Sequence, residues 1–229
     1  MPLEPDDDSQ YANFDEAKYT SATIQRAEQY VMDSLYERAT FAVEPEADPL
    51  LGVDQTGAVR QMAEGPSRVS AVIGPAGAGK TTMLRSVATS YERVGRNVAV
   101  LCLSAVAARN VTSETGLGAD TIAAWAVGNV ELPQGGLVII DEASMVPTLK
   151  LAALCKASRD AGSRLVLVGD YAQMGAPEAG GLLRDIAATP ASCELTSVRR
   201  FMRHGKRRRR FACGRGTPRS PPPTNGRAD

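Results

Sequence analysis

Two hydrophobic rhythms divide the chain. After Ser21, placed to cap a helix, the apolar residues Ile24, Ala27, Tyr30, Val31 and Leu35 recur at helical spacing and predict one amphipathic helix. The prolines of "VEPEADPL" (43–50) break that pattern, and "DQTGAVRQMAE" (54–64) predicts a second, short helix. From residue 68 the rhythm changes. "RVSAVIG", "NVAVLCL", "GGLVII" and "RLVLVGD" are short, rich in β-branched residues and separated by helical stretches. A strand wetted on one face alternates apolar with polar residues, whereas a continuous apolar run suits a strand covered on both faces, as in a parallel sheet wrapped by helices. The expected fold class is therefore α/β: a mainly parallel sheet with helices on both faces, preceded by a short helical segment.

These rhythms suggest boundaries. Residues 1–19 are polar and acidic with little to bury and are expected to be disordered. Residues 20–66 form a helical lead-in, 67–201 the main domain, and 202–229 a basic tail. The longest apolar stretch, "NVAVLCLSAVAA" (97–108), is well short of the roughly 20 residues a membrane helix needs. The start, "MPLEPDDDSQ", has neither the basic flank nor the apolar core of a signal peptide, so a cytoplasmic, membrane-free protein is expected. Cys102, Cys155, Cys193 and Cys213 show no C-x-x-C spacing, and His204 is the single histidine, which argues against a disulfide framework or a zinc site.

Charge changes the picture at one end. The chain is formally neutral, with 26 basic and 26 acidic residues, yet nine of the basic ones lie in 202–229 beside a single acid, Asp229. Residues 1–201 then hold 17 basic against 25 acidic residues, a net of −8. An acidic body is poor support for nonspecific nucleic-acid binding, which rests on neutralising phosphates. The tail, with eight arginines, four prolines and almost no aliphatic residues, cannot build a core. Its composition favours a shifted or truncated reading of a longer gene; a basic arm and a solvated tail are the alternatives.

The chemistry gathers where the apolar runs end. "GPAGAGKTT" comprises Gly74, Pro75, Ala76, Gly77, Ala78, Gly79, Lys80, Thr81 and Thr82; it fits G-x-x-x-x-G-K-[ST] and lies between a predicted strand and a predicted helix. The glycines let the backbone curl so that its N–H groups face a phosphate, with the helix dipole adding to the field. Lys80 would reach the β- and γ-phosphates, and the Thr81 hydroxyl would ligate Mg²⁺. In "GGLVIIDEAS", Asp141 and Glu142 fall at the carboxyl end of a buried strand, the edge where open parallel sheets bind ligands. They suit a Mg²⁺-shell ligand and a group that orients and deprotonates water, respectively. "RLVLVGDYAQM" brings Asp170 and Gln173 to the same edge, where a neutral amide can sense the γ-phosphate.

The order "GPAGAGKTT", "VIIDEAS", "LVGDYAQMGAPEAGG", "LTSVRRF" resembles the first RecA-like domain of superfamily 1 DNA helicases, in particular the RecD-like branch and the helicase part of TraA/TrwC-type conjugative relaxases, over about 20–201. The resemblance implies a RecA-like P-loop NTPase that uses ATP and Mg²⁺. It gives Gln55 in "LGVDQTGAV" the role of recognising adenine, and Arg200 in "VRRF", with Arg199 beside it as the alternative, that of reaching the γ-phosphate. Through "LCLSAVAARNV" and "GADTIAAW" it implies single-stranded DNA contacts at Ser104, Arg109 and Thr121. A helix cap at Asp120 and a core Trp125 also account for most of "ADTIAAW".

In that family a second RecA-like domain follows the arginine, and a relaxase domain often precedes. Three functions are thus open. The chain is the ATP-binding first motor domain of a RecD-like or TraA-like helicase, a fragment not competent for unwinding alone. It is an active ATP-dependent helicase or translocase subunit. Or it is an unrelated P-loop ATPase or kinase; a small-molecule kinase would need neither Gln55 nor "GDYAQM". The first is favoured, because translocation requires two domains that close around ATP.

Overall fold

The computed structural model describes residues 21–75, 77–170 and 182–196. Two helices lead in: α1 (Ala22–Ser34), capped by the Ser21 hydroxyl, which accepts from the Ile24 amide at 3.2 Å, and α2 (Val53–Glu64). Then strands and helices alternate as β1 (Val69–Ile73), α3 (Lys80–Arg93), β2 (Val98–Cys102), α4 (Ala105–Thr115), β3 (Ala119–Thr121), α5 (Ile122–Ala126) and β4 (Leu137–Ile140). A 3₁₀ turn (Ala143–Met145), α6 (Thr148–Asp160), β5 (Arg164–Gly169), α7 (Leu182–Ala187) and β6 (Ser192–Glu194) complete the order.

The strands form one six-stranded sheet in the order β3-β2-β4-β5-β1-β6, every pairing parallel. The four continuous apolar runs are β1, β2, β4 and β5, and both faces of the sheet are covered. In β4, Leu137 and Ile139 pack toward Met83, Leu84 and Val87 of α3 and Val111 of α4, while Val138 and Ile140 pack toward Val31 of α1 and Leu151 and Leu154 of α6. Valines and isoleucines in succession are stable here because neither side of the strand meets water. Fully burying one such side chain contributes about 1.5–3 kcal/mol.

Two strands escape the hydrophobic pattern. β3 and β6 are three residues each, "ADT" and "SCE", and none of these residues is fully buried. They lie at the two edges of the sheet, where backbone pairing to β2 and β1 replaces side-chain burial as the organising force. The cap of α5 is Thr121, whose hydroxyl accepts from the Ala124 amide at 3.0 Å, rather than Asp120. Trp125 packs against the core as expected.

Polar anchors fasten the lead-in to the sheet. Glu37 pairs with Arg68 at 2.8 Å and with Arg159 at 2.9 Å. Arg164, only 1% exposed, spreads its guanidinium over the carbonyl oxygens of Phe41, Gln61, Ala63, Gly65 and Ser67, with the shortest bond, to Gly65, 2.7 Å long. Among the described residues no helix is long and apolar enough to cross a membrane.

Candidate nucleotide site

The loop after β1 starts from a fixed point. The Gly74 amide donates to the Gly169 carbonyl at 2.9 Å, so the loop leaves the sheet between β1 and β5. A Cβ on Gly74 would stand 2.9 Å from the Leu195 Cβ, and the tight fit there admits only glycine. Gly77 (φ 81°) and Gly79 (φ 77°) then turn the chain through the left-handed region into α3. Gly79 is the N-cap of α3 and offers no side-chain bond to the first turn. The opening amides of a 14-residue helix are thus left to an anion, with the helix dipole behind them.

Lys80 folds back over the loop, its Nζ donating to the Gly74 carbonyl at 3.0 Å. Thr81 follows in the first turn of α3, and its hydroxyl donates to Glu114 Oε2 at 3.0 Å. Thr82 is exposed in the same turn, as is Pro75 in the loop; Ala76 lies outside the described residues.

Asp141 and Glu142 arrive from β4. The Asp141 amide still pairs with the Leu101 carbonyl at 3.0 Å, so the carboxylate emerges where the ladder ends. Burial raises the Asp141 carboxyl above its ordinary pKa; the Glu142 amide and Lys80 pull the other way. Glu142 is the one non-glycine with positive φ (55°) among the described residues, and its side chain is exposed. A left-handed residue other than glycine costs about 1–2 kcal/mol, so the turn holds the carboxylate outward against its backbone preference. Lys80 and Thr81 from the first turn of α3 and Asp141 and Glu142 from the end of β4 line a single cavity of about 120 Å³ together with Asn110 and Glu114 of α4. Beneath it, burial, Asp141 and Glu142 push the Cys102 thiol up to about 12.

These features fit a Mg²⁺-bound nucleotide triphosphate: an uncapped helix N-terminus and a lysine for phosphate, a hydroxyl and a carboxylate for the cation, and an exposed carboxylate for water. Among the described residues no cluster of three His, Cys, Asp or Glu is placed to hold a metal ion.

Gln55 is 1% exposed and lies under the same loop. Its Nε2 donates to the Ala78 carbonyl at 2.8 Å and the Gly79 carbonyl at 3.3 Å, and its Oε1 accepts from the Gly52 amide at 2.9 Å. Both amide protons are committed to the loop backbone, so a contact with adenine would require this amide to change partners.

On the other side of α4 an open groove of about 550 Å³ is lined by Arg109 and Thr121 with Ala105, Thr112 and Asp120. Ser104 caps α4, accepting from the Ala107 amide at 3.1 Å. The hydroxyls of Ser104 and Thr121 thus both have structural roles already, and Arg109 is the basic side chain that lines the groove. Gln173, Arg199 and Arg200 lie outside the described residues. The segment leading to the arginines is held beside β1 as far as Thr196, through Leu195 N to Ile73 O at 2.7 Å and Thr196 N to Asp54 Oδ2 at 3.1 Å. Sequence reasoning missed Glu114 and Arg85, because an acid in the last turn of one helix and an arginine on another carry no motif.

A family model described as "AAA domain" matches residues 50–220. The conjugal transfer protein TraA of Rhizobium radiobacter is 34% identical over 170 residues, 72% of this chain and 15% of that protein. The probable conjugal transfer protein TraA of Sinorhizobium fredii is 35% identical over 154 residues, 66% of this chain and 14% of that protein. The ATP-dependent RecD2 DNA helicase of Deinococcus radiodurans is 29% identical over 168 residues, 70% of this chain and 23% of that protein. The chain thus spans a small part of the length of the curated relatives it matches.

Proposed function

The chain belongs to the AAA domain family, and from that premise we propose that it is the ATP-binding first motor domain of a RecD-like or TraA-like DNA helicase. The observation that carries the reading is the meeting of Lys80 and Thr81 from the start of α3 with Asp141 and Glu142 from the end of β4 around one cavity. In this assignment the loop amides and Lys80 hold the phosphates, Thr81 and Asp141 hold Mg²⁺, and Glu142 orients and deprotonates the attacking water. Mg²⁺ would supply charge neutralisation across the β- and γ-phosphates. Gln173 and Arg200 are assigned to the γ-phosphate on motif grounds alone.

The name of the RecD2 DNA helicase relative supports DNA as the polymer served, with the groove at Arg109 as the face for a single strand. Unwinding is assigned to a longer architecture with a second motor domain, since movement along a strand needs two bodies that open and close around the nucleotide.

Titration of the full chain with a fluorescent ATP analogue tests the reading. Mg²⁺-dependent binding is expected in the wild type and its loss in Lys80→Ala. Equal affinity in the two would overturn it.

A further inference from the structure

Helix α4 has two working stripes. Ala107, Asn110, Val111 and Glu114, at spacings of three and four, line the nucleotide cavity, and Ala105, Ala108, Arg109 and Thr112, at the same spacings, line the groove. The first stripe ends in a carboxylate that nothing in the helix requires. The last turn of α4 is completed by other groups: the Gly116 amide bonds back to the Thr112 carbonyl, and Arg85 of α3 donates from Nε to the Thr115 carbonyl at 3.0 Å and from Nη2 to the Glu114 carbonyl at 3.1 Å. An arginine on the free carbonyls of a helix end is stabilising in its own right. The Glu114 side chain turns instead to α3, where Oε2 takes the proton of the Thr81 hydroxyl at 3.0 Å.

Thr81 and Arg85 are one turn apart on α3, so the two helices are joined twice on one line: backbone to guanidinium, then carboxylate to hydroxyl. We infer that Glu114 is a positioning residue for the metal site, taking the Thr81 proton to the α4 wall of the cavity so that an oxygen lone pair of Thr81 is left for the cation. The inference rests on the proposed role of Thr81 as a Mg²⁺ ligand. A hydroxyl has one proton and two lone pairs. With its proton fixed on Glu114 it presents only acceptor character to the cavity; without that partner it rotates freely, and some of its orientations point the proton at the cation. Carboxylates that orient a metal ligand from outside the coordination sphere commonly change metal affinity tenfold or more. Glu114 is exposed, and an isolated exposed bond of this kind would be weak. The Arg85 clamp removes that objection, because it fixes the helix end from which the carboxylate reaches.

The test measures the Mg²⁺ concentration at which binding of a fluorescent ATP analogue by the full chain tightens half-maximally, alongside affinity without Mg²⁺ and the thermal midpoint without nucleotide. Glu114→Ala should raise that concentration about tenfold without weakening Mg²⁺-free binding, since removing a carboxylate from the cavity wall lessens its repulsion of the phosphates. Glu114→Gln, whose amide oxygen still accepts the proton, should recover most of the loss. Glu114→Asp keeps the charge but falls short of Thr81, and should behave like alanine. In a Thr81→Ala background, Glu114→Ala should add nothing, since the residue acts through that hydroxyl. Recovery by aspartate rather than glutamine, an undiminished effect in the Thr81→Ala background, or wild-type Mg²⁺ dependence in Glu114→Ala would each overturn the inference. Absence of any Mg²⁺-dependent tightening in the wild type would overturn the nucleotide reading itself, and this inference with it.

Discussion

Gln55 Nε2 lies 2.8 Å from the Ala78 carbonyl oxygen, deep beneath the phosphate loop. A Cβ on the neighbouring Gly79 would come within 2.1 Å of the same nitrogen, so loop and amide are built against each other. Removing this amide unpairs the buried Ala78 carbonyl and frees the loop, whatever base the nucleotide carries. Gln55→Ala is therefore expected to weaken ATP and GTP by the same factor, about 1–3 kcal/mol each. Competition titrations with both nucleotides measure it. A loss confined to ATP would show that the amide leaves the loop to read adenine, as the helicase resemblance implies.

The Arg164 guanidinium forms a second such knot. Its five carbonyl partners come from residues 41–67, so a single side chain ties the lead-in to the start of β5. Burial lowers its pKa from the usual arginine value, the sign of a charge held at some cost. Leucine would relieve that cost but take the guanidinium from the part-buried Phe41, Gly65 and Ser67 carbonyls, each worth about 1–3 kcal/mol when left without a donor, while the Gln61 and Ala63 carbonyls keep the Gly65 and Val43 amides. Arg164→Leu is expected to destabilise by more than about 3 kcal/mol in urea unfolding and to open residues 41–67 to protease. A midpoint shift within error would show that water replaces the guanidinium.

Much of this was legible in the sequence, and the limits of that legibility are physical. β1, β2, β4 and β5 announce themselves because a strand buried on both faces is built almost wholly of apolar residues, with Ser70 of β1 and Arg164 of β5 as buried polar exceptions. β3 and β6 do not, because an edge strand of three residues is defined by its backbone partners. The phosphate loop is legible because backbone curvature and charge each demand a particular residue. Gln55 and Glu114 act on a backbone carbonyl and a hydroxyl brought near by folding, 23 and 33 residues away in sequence, and no local pattern encodes such a meeting. Arg164 reads in sequence as the charged end of "RLVLVGD"; only the closing of the lead-in over it turns a strand terminus into the most enclosed cation of the described residues.

Stability should fall steeply in alkali. Burial raises Tyr91, Cys102 and Cys155 each to about 12, above the ordinary values of 10.0 for the tyrosine and 9.0 for the thiols. The native state therefore keeps protons that the unfolded chain gives up. Their contribution is complete below about pH 9 and is lost as pH rises toward 12. Cys155→Ala removes one of the three protons and should flatten the fall in unfolding free energy between pH 9 and 12 relative to wild type. Identical slopes for the two proteins would mean that the thiol ionises as readily in the folded state.

DNA binding by the full chain should owe more to charge count than to the groove. Residues 1–201 carry a net of −8, and the groove offers Arg109 with Asp120 beside it, whereas nine basic residues lie in 202–229. Affinity for a single strand is therefore expected to be weak, indifferent to sequence and steeply salt-dependent, with a log–log slope of about −0.7 per phosphate neutralised. A chain ending at Phe201 should lose most of it, and ATP should change it little, because a nucleotide alters DNA affinity only where it changes the contacts DNA makes. A salt series on both chains, with and without ATP, decides the matter. If the shortened chain bound as tightly and ATP shifted its affinity severalfold, Arg109 and Thr121 would form a working track. The helix whose opposite stripes line the groove and the nucleotide cavity would then be the element that joins them.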